Sequence, residues 1–180
     1  MSTATQYIET GAYDNILVVG TEVLSKVIDW EDRNTCVLFG DGAGAAVLTP
    51  GEQGGILANT LGADGSRGDV LEIPSGGTKD PFSQSVLDQR SNYVRMDGKS
   101  VFKFAVKILG EAASESLEQA GLGKDDIDFL VPHQANIRII DAAAKRLDLE
   151  KDQIYVNLDK YGNTSAASIP LALDEAVQDN

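Results

Sequence analysis

From Gly98 to Val177 helix-length and strand-length apolar segments alternate, and this order constrains the fold more than any other feature of the chain. Val101, Phe102, Ala105, Val106, Ile108 and Leu109 recur at spacings of three and four, the period of an amphipathic helix. They predict a helix over Gly98–Ala120, ended by Gly121. Phe129–Val131 then predicts a short strand, Ala135–Leu147 a helix, Ile154–Val156 a strand and Ser165–Val177 a last helix. Strands separated by helices pack most readily as a mostly parallel sheet, so the chain reads as an α/β protein.

The first half is less regular. Ser2–Tyr13 reads as the back end of a helix closed by Gly11, and Ile16–Val19 as a short buried strand. Thr35–Phe39 and Ala43–Leu48 predict two strands joined as a hairpin through Gly40, Asp41 and Gly42, a turn composition suited to one. Ile56–Leu61 predicts another strand. Between 63 and 92 the glycines, serines, prolines and charges break any period, which predicts loop with one short strand near Val70–Ile73.

Charge and cysteine content narrow the function classes. Lys and Arg number 15 against 28 Asp and Glu, a net charge of −13, which repels phosphate backbones and argues against nucleic-acid binding. No apolar run is long enough to span a bilayer, and the N-terminus lacks the basic and apolar regions of a secretion signal, so the expected location is the cytoplasm. One cysteine cannot form an internal disulfide. One histidine and one cysteine, with no close ligand spacing between them, also disfavour a zinc site, so no metal is expected.

His133 closes the predicted strand in Val131-Pro132-His133-Gln134-Ala135-Asn136, just before a helix. Asn163 lies in Tyr161-Gly162-Asn163-Thr164-Ser165-Ala166-Ala167-Ser168, again between a strand and a helix. Singly, each has a plain structural account: His133 as a polar strand end, Asn163 as a helix cap or turn residue. Together they say more, because strand-loop-helix junctions of one parallel sheet open at the same edge. A neutral imidazole and a carboxamide both carry N–H donors, and two donors aimed at a thioester carbonyl would stabilise an enolate formed on decarboxylation.

Pro132-His133-Gln134-Ala135-Asn136 and Gly162-Asn163-Thr164-Ser165-Ala166-Ala167-Ser168 resemble the histidine and asparagine motifs of β-ketoacyl-acyl carrier protein synthase III. Phe39-Gly40-Asp41-Gly42-Ala43-Gly44-Ala45-Ala46 resembles its glycine-rich hairpin, and Arg95-Met96-Asp97-Gly98-Lys99-Ser100-Val101-Phe102 the segment lining its pantetheine tunnel. The resemblance implies a thiolase-like layered αβαβα fold, here incomplete, and a homodimer. Residues 1–62 would be the remainder of the N-terminal half, 63–92 a connecting region and 93–180 most of the C-terminal half. It also implies a reaction: a cysteine takes an acyl group from acyl-CoA, and the acyl-enzyme condenses with malonyl-acyl carrier protein, releasing carbon dioxide. CoA and phosphopantetheine arrive with the substrates, and no further cofactor is implied.

By the same resemblance His133 and Asn163 hold the malonyl thioester carbonyl, Gly98, Phe102 and Asn136 line the pantetheine path, and Arg33 lies near the CoA nucleotide. Arg138, Lys103, Lys145 and Arg146 form a basic docking patch for the acyl carrier protein, although their plainer account is a pair of solvated helix faces. The family's nucleophilic cysteine precedes a segment like Ser2-Thr3-Ala4-Thr5-Gln6-Tyr7-Ile8, and its last strands follow one like Leu171-Ala172-Leu173-Asp174-Glu175-Ala176. Both are missing from these residues, so the isolated chain is expected to be inactive in condensation. Cys36, in the predicted strand Thr35–Phe39, reads as an inert buried thiol rather than a substitute nucleophile. Two other readings remain: a different acyl-CoA condensing enzyme of the thiolase superfamily, separable by the effect of charge reversal at Arg138, and a non-catalytic assembly fragment.

Overall fold

The computed structural model describes residues 1–52 and 54–179. Helix α1 (Ser2–Glu9) precedes strands β1 (Ile16–Glu22) and β2 (Gly42–Leu48). They are followed by β3 (Leu71–Glu72), α2 (Gln84–Asp88), β4 (Arg95–Met96), α3 (Gly98–Ala120), α4 (Ile137–Leu147), α5 (Leu158–Tyr161) and α6 (Ser168–Asp179).

The long periodic segment folds as its spacing predicts. Asp97 caps α3, its carboxylate accepting from the amides of Lys99 and Ser100 at 3.1 and 3.2 Å, and Gly121 closes the helix in the left-handed conformation. Helix α4 starts two residues later than predicted, because the side chain of Asn136 accepts from the amide of Arg138 at 2.9 Å and so serves as its N-cap. Ile139, Ile140, Ala143, Ala144 and Leu147 form the buried stripe of α4, which packs against α3.

Strand pairing departs from the sequence reading in three places. The hairpin is antiparallel β1 against β2, with Ile16 opposite Leu48 and Glu22 opposite Gly42, rather than Thr35–Phe39 against Ala43–Leu48. Thr35 to Leu38 instead forms successive turns headed by Asp32, whose carboxylate accepts from the Asn34 amide at 3.0 Å and the Thr35 hydroxyl at 2.6 Å. That local capping outcompetes the strand preference of Val37, while Phe39, just beyond the turns, makes a single parallel bridge to Asn163. Second, Ile56–Leu61 forms no strand; Leu57 and Leu61 are exposed, and no described strand pairs with them. Third, Phe129–Val131 and Ile154–Val156 do meet in parallel, but through one bridge, Leu130 to Ile154, rather than as full strands.

One face of the β1–β2 hairpin carries the turn Ser165–Ala167 and the start of α6. The approach is close: a Cβ on Gly20 would lie 2.3 Å from the carbonyl oxygen of Ala166, so only glycine lets that turn sit on β1. Leu17, Val19 and Val47, on the other face, are exposed. Among the described residues no helix is long and apolar enough to cross a membrane.

Candidate active site

The loop carrying Asn163 is seated by its own backbone. The Asn163 amide donates to the Leu38 carbonyl, and the Asn163 carbonyl accepts from the Gly40 amide, both at 2.9 Å. This parallel bridge needs a bare backbone at residue 40, since a Cβ there would sit 2.2 Å from the Tyr161 carbonyl oxygen. The glycine-rich segment therefore holds the asparagine loop in place. Asn163 Oδ1 accepts from the Ser165 amide at 3.0 Å. With the oxygen so committed, the NH2 end of the side chain is the end left to donate elsewhere.

The loop carrying His133 is held from below by a buried polar network. Gln134 is 1% exposed, and its Nε2 donates to the carbonyls of Pro132 at 2.9 Å and Tyr155 at 3.2 Å, while its Oε1 accepts from the Asn157 amide at 3.1 Å. Asn157 is buried in turn and donates through Nδ2 to Glu175 at 2.9 Å. Tyr161 also donates to Glu175, and Lys160 pairs with it. One of the three Gln134 bonds thus holds the Pro132 carbonyl beside His133, and the other two tie Gln134 to the backbone of Tyr155 and Asn157. The ring itself is half-buried, its Nδ1 2.5 Å from the hydroxyl of Ser168. Burial pushes the imidazole pKa below its ordinary value, which favours the neutral ring near pH 7.

Asn163 lines a cavity of 390 Å³ together with Phe39, Gly98, Phe102, Asn136 and Arg138. This is the size range of small-molecule sites, about 300–1,000 Å³. Four sequence candidates, Gly98, Phe102, Asn136 and Arg138, thus gather around Asn163, and the Arg138 guanidinium lies 5.1 Å from the centre of the Phe102 ring. His133 is not in this lining; it joins the Asn163 loop through Ser168, at the start of the helix that the loop opens into.

The basic residues divide. Lys103 borders a separate groove with Arg67, Lys107 and Phe104, whereas Arg138 stands at the cavity of Asn163. Lys145 is exposed. Arg146 is engaged by α3: its Nη1 donates to the Lys107 carbonyl at 3.3 Å, and Nη2 is 3.9 Å from Glu111. Arg33 is exposed, and among the described residues no carboxylate pairs with it. The carboxylate of Asp29 is bound instead by Arg90, with Nε to Oδ2 at 2.9 Å, and this pairing holds the Asp29 pKa down to about 2. Cys36 is half-buried in the turns after Asp32, not in a strand, and does not line the cavity. Among the described residues no group of three or more His, Cys, Asp or Glu could hold a metal ion.

The fold is that of the thiolase-like condensing enzymes. A crystal structure of 3-oxoacyl-[acyl-carrier-protein] synthase III from Aquifex aeolicus VF5 superposes with a TM-score of 0.86 at 44% identity, covering 99% of this chain and 53% of that one. The priming β-ketosynthase from the R1128 polyketide biosynthetic pathway superposes with a TM-score of 0.84 at 40% identity, covering 98% and 52% of the two chains. Residues 1–65 match the family described as 3-oxoacyl-[acyl-carrier-protein (ACP)] synthase III, and residues 117–180 match its C-terminal domain. A β-ketoacyl-[acyl-carrier-protein] synthase III from Caldanaerobacter subterraneus subsp. tengcongensis is 57% identical over 177 residues, 98% of this chain and 54% of the relative. The chain belongs to the 3-oxoacyl-[acyl-carrier-protein] synthase III family, and it spans about half the length of the curated relatives it matches.

Proposed function

We propose that this chain supplies the malonyl-handling half of a β-ketoacyl-acyl carrier protein synthase III, an acyltransferase that condenses an acyl-CoA such as acetyl-CoA with malonyl-acyl carrier protein to begin fatty-acid synthesis. The observation that carries this reading is the way Asn163 is held. Its Oδ1 is used by the Ser165 amide, so its NH2 is presented as a donor, beside a cavity that Gly98, Phe102 and Asn136 also line. A neutral His133 supplies the second donor. Loss of carbon dioxide from the malonyl group leaves an enolate on the thioester oxygen, and two N–H donors aimed at that oxygen would lower the barrier to its formation. The carbanion end of this enolate attacks the acyl carbon, and the thiolate that held the acyl group leaves.

Arg138, at the cavity edge and stacked on Phe102, is the basic group best placed to meet an acidic carrier protein. Lys103 and Lys145 extend that role, and Arg33 is assigned to the CoA nucleotide. Arg146 contributes mainly to holding α4 on α3. A homodimer in the cytoplasm is the working assembly, with CoA and phosphopantetheine entering as parts of substrates.

The sole cysteine of these residues, Cys36, is not the acyl-bearing nucleophile. The 180 residues alone are therefore expected to make no β-ketoacyl product. The test follows radiolabelled acetyl-CoA with malonyl-carrier protein, on this chain and again after Cys36→Ser. Condensation that appears only when the cysteine-bearing segment of the family is added supports the proposal. Robust condensation by the chain alone, abolished by Cys36→Ser, overturns it.

A further inference from the structure

We infer that Ser168 is a positioning residue for His133: its hydroxyl donates to Nδ1 and thereby holds the imidazole as the tautomer with its proton on Nε2, the nitrogen facing away from α6. The inference rests on the proposed function, in which His133 must donate a hydrogen bond, and it names the residue that makes donation possible.

One proton decides which tautomer the ring adopts. The Ser168 hydroxyl oxygen lies 2.5 Å from His133 Nδ1 and 2.8 Å from the carbonyl oxygen of Ser165, so its single hydrogen can serve one of two acceptors. If it went to the carbonyl, Nδ1 would have to carry the ring proton and donate to the hydroxyl. Nε2 would then be a bare lone pair, able to accept but not to donate. Two features favour the other arrangement. The Ser165 carbonyl already accepts from the backbone amide of Ser168, so it does not depend on the hydroxyl. The imidazole nitrogen is the stronger acceptor, and it is also the nearer one. Ser168 is 2% exposed, which keeps bulk water from competing for either bond.

The placement follows from the local fold. Ser168 is the first residue of α6, delivered there by the Ser165–Ala167 turn that rests on Gly20 of β1. The segment that aims the Asn163 carboxamide thus also sets the protonation pattern of the histidine. A ring nitrogen's role is commonly dictated by the hydrogen bond made at the other nitrogen.

The sole histidine makes the test direct, because a chain labelled with ¹⁵N-histidine has one Nδ1 and one Nε2 resonance. Two-bond ¹H–¹⁵N correlation spectra at neutral pH are expected to show Nε2 protonated and Nδ1 bare, with the Nδ1 resonance displaced in the direction of an accepted hydrogen bond. Ser168→Ala should move Nδ1 back to the position of a free imidazole and leave a tautomer mixture. If Ser168→Ala does not fold, Ser168→Cys, which keeps the volume but donates weakly, should move the resonance part of the way. A proton on Nδ1 in the unaltered chain overturns the inference, as does an Nδ1 resonance unmoved by substitution. Failure to condense after the cysteine-bearing segment of the family is added, with the Nε2-protonated ring intact, would count against the proposed function instead.

Discussion

Replacing Gln134 by alanine removes the bonds that hold the His133 loop, and the cost can be worked from its three partners. The carbonyls of Pro132 and Tyr155 each lose a donor, and the buried Asn157 amide loses its acceptor. An orphaned buried polar group costs about 1–3 kcal/mol, and partial refilling by water keeps the three from adding in full, so a loss of about 3 kcal/mol is expected. With a urea dependence of about 2 kcal/mol per molar, the denaturation midpoint should fall by about 1.5 M. Gln134→Leu, which fills the space but restores no bond, should fall by a similar amount, separating lost hydrogen bonds from a lost side-chain volume. The control is Gln178→Ala: that side chain also bonds a neighbour, Asp174 at 2.8 Å, but it is exposed, so the change should stay within about 0.5 kcal/mol. Circular dichroism at increasing urea measures all three. A Gln134→Ala midpoint no lower than that of Gln178→Ala would refute the claim that this network holds the loop.

Glu175 has its pKa lowered by hydrogen bonds from Asn157 first, then Tyr161 and Lys160, so its stabilisation is complete above the ordinary carboxylate range and disappears as pH falls through its folded value. Glu175→Gln should therefore flatten the acid side of the stability profile, measured as melting temperature against pH. Arg138→Glu is expected to raise the apparent KM for malonyl-carrier protein several-fold in the reconstituted enzyme while leaving that for acyl-CoA nearly unchanged; equal effects on both would favour a CoA-dependent enzyme. Leu17, Val19 and Val47 expose a contiguous apolar strand face, so the isolated chain should self-associate and bind an apolar dye. A monodisperse, dye-free monomer by light scattering would contradict that expectation.

Some of this architecture was legible in the sequence because it is local. Helix α3 carries its cap, its period and its closing glycine within one continuous segment, so its limits follow from spacing. The β1–β2 pairing is not local. Cys36 and Val37 have strand-compatible side chains, but Asp32, a few residues earlier, binds the amide and hydroxyl groups that draw them into turns, leaving only Phe39 to bridge to Asn163. The histidine and asparagine motifs were visible as paired junctions before helices. What held them was not, because Gln134, Asn157 and Ser168 are polar residues of a kind usually read as exposed, and their partners lie 21 to 35 residues away. Similarly, the Asp29–Arg90 pair spans 61 residues, a separation that no spacing rule reaches.

Whether His133 and Asn163 together grip one thioester oxygen is read most directly from a crystal structure of the chain with a malonyl-pantetheine analogue. One oxygen is expected at hydrogen-bonding distance, about 2.7–3.2 Å, from both His133 Nε2 and Asn163 Nδ2, with the pantetheine arm running past Gly98, Phe102 and Asn136. An analogue bound with its carbonyl on neither donor, or the two side chains opening to different faces of the fold, would contradict it.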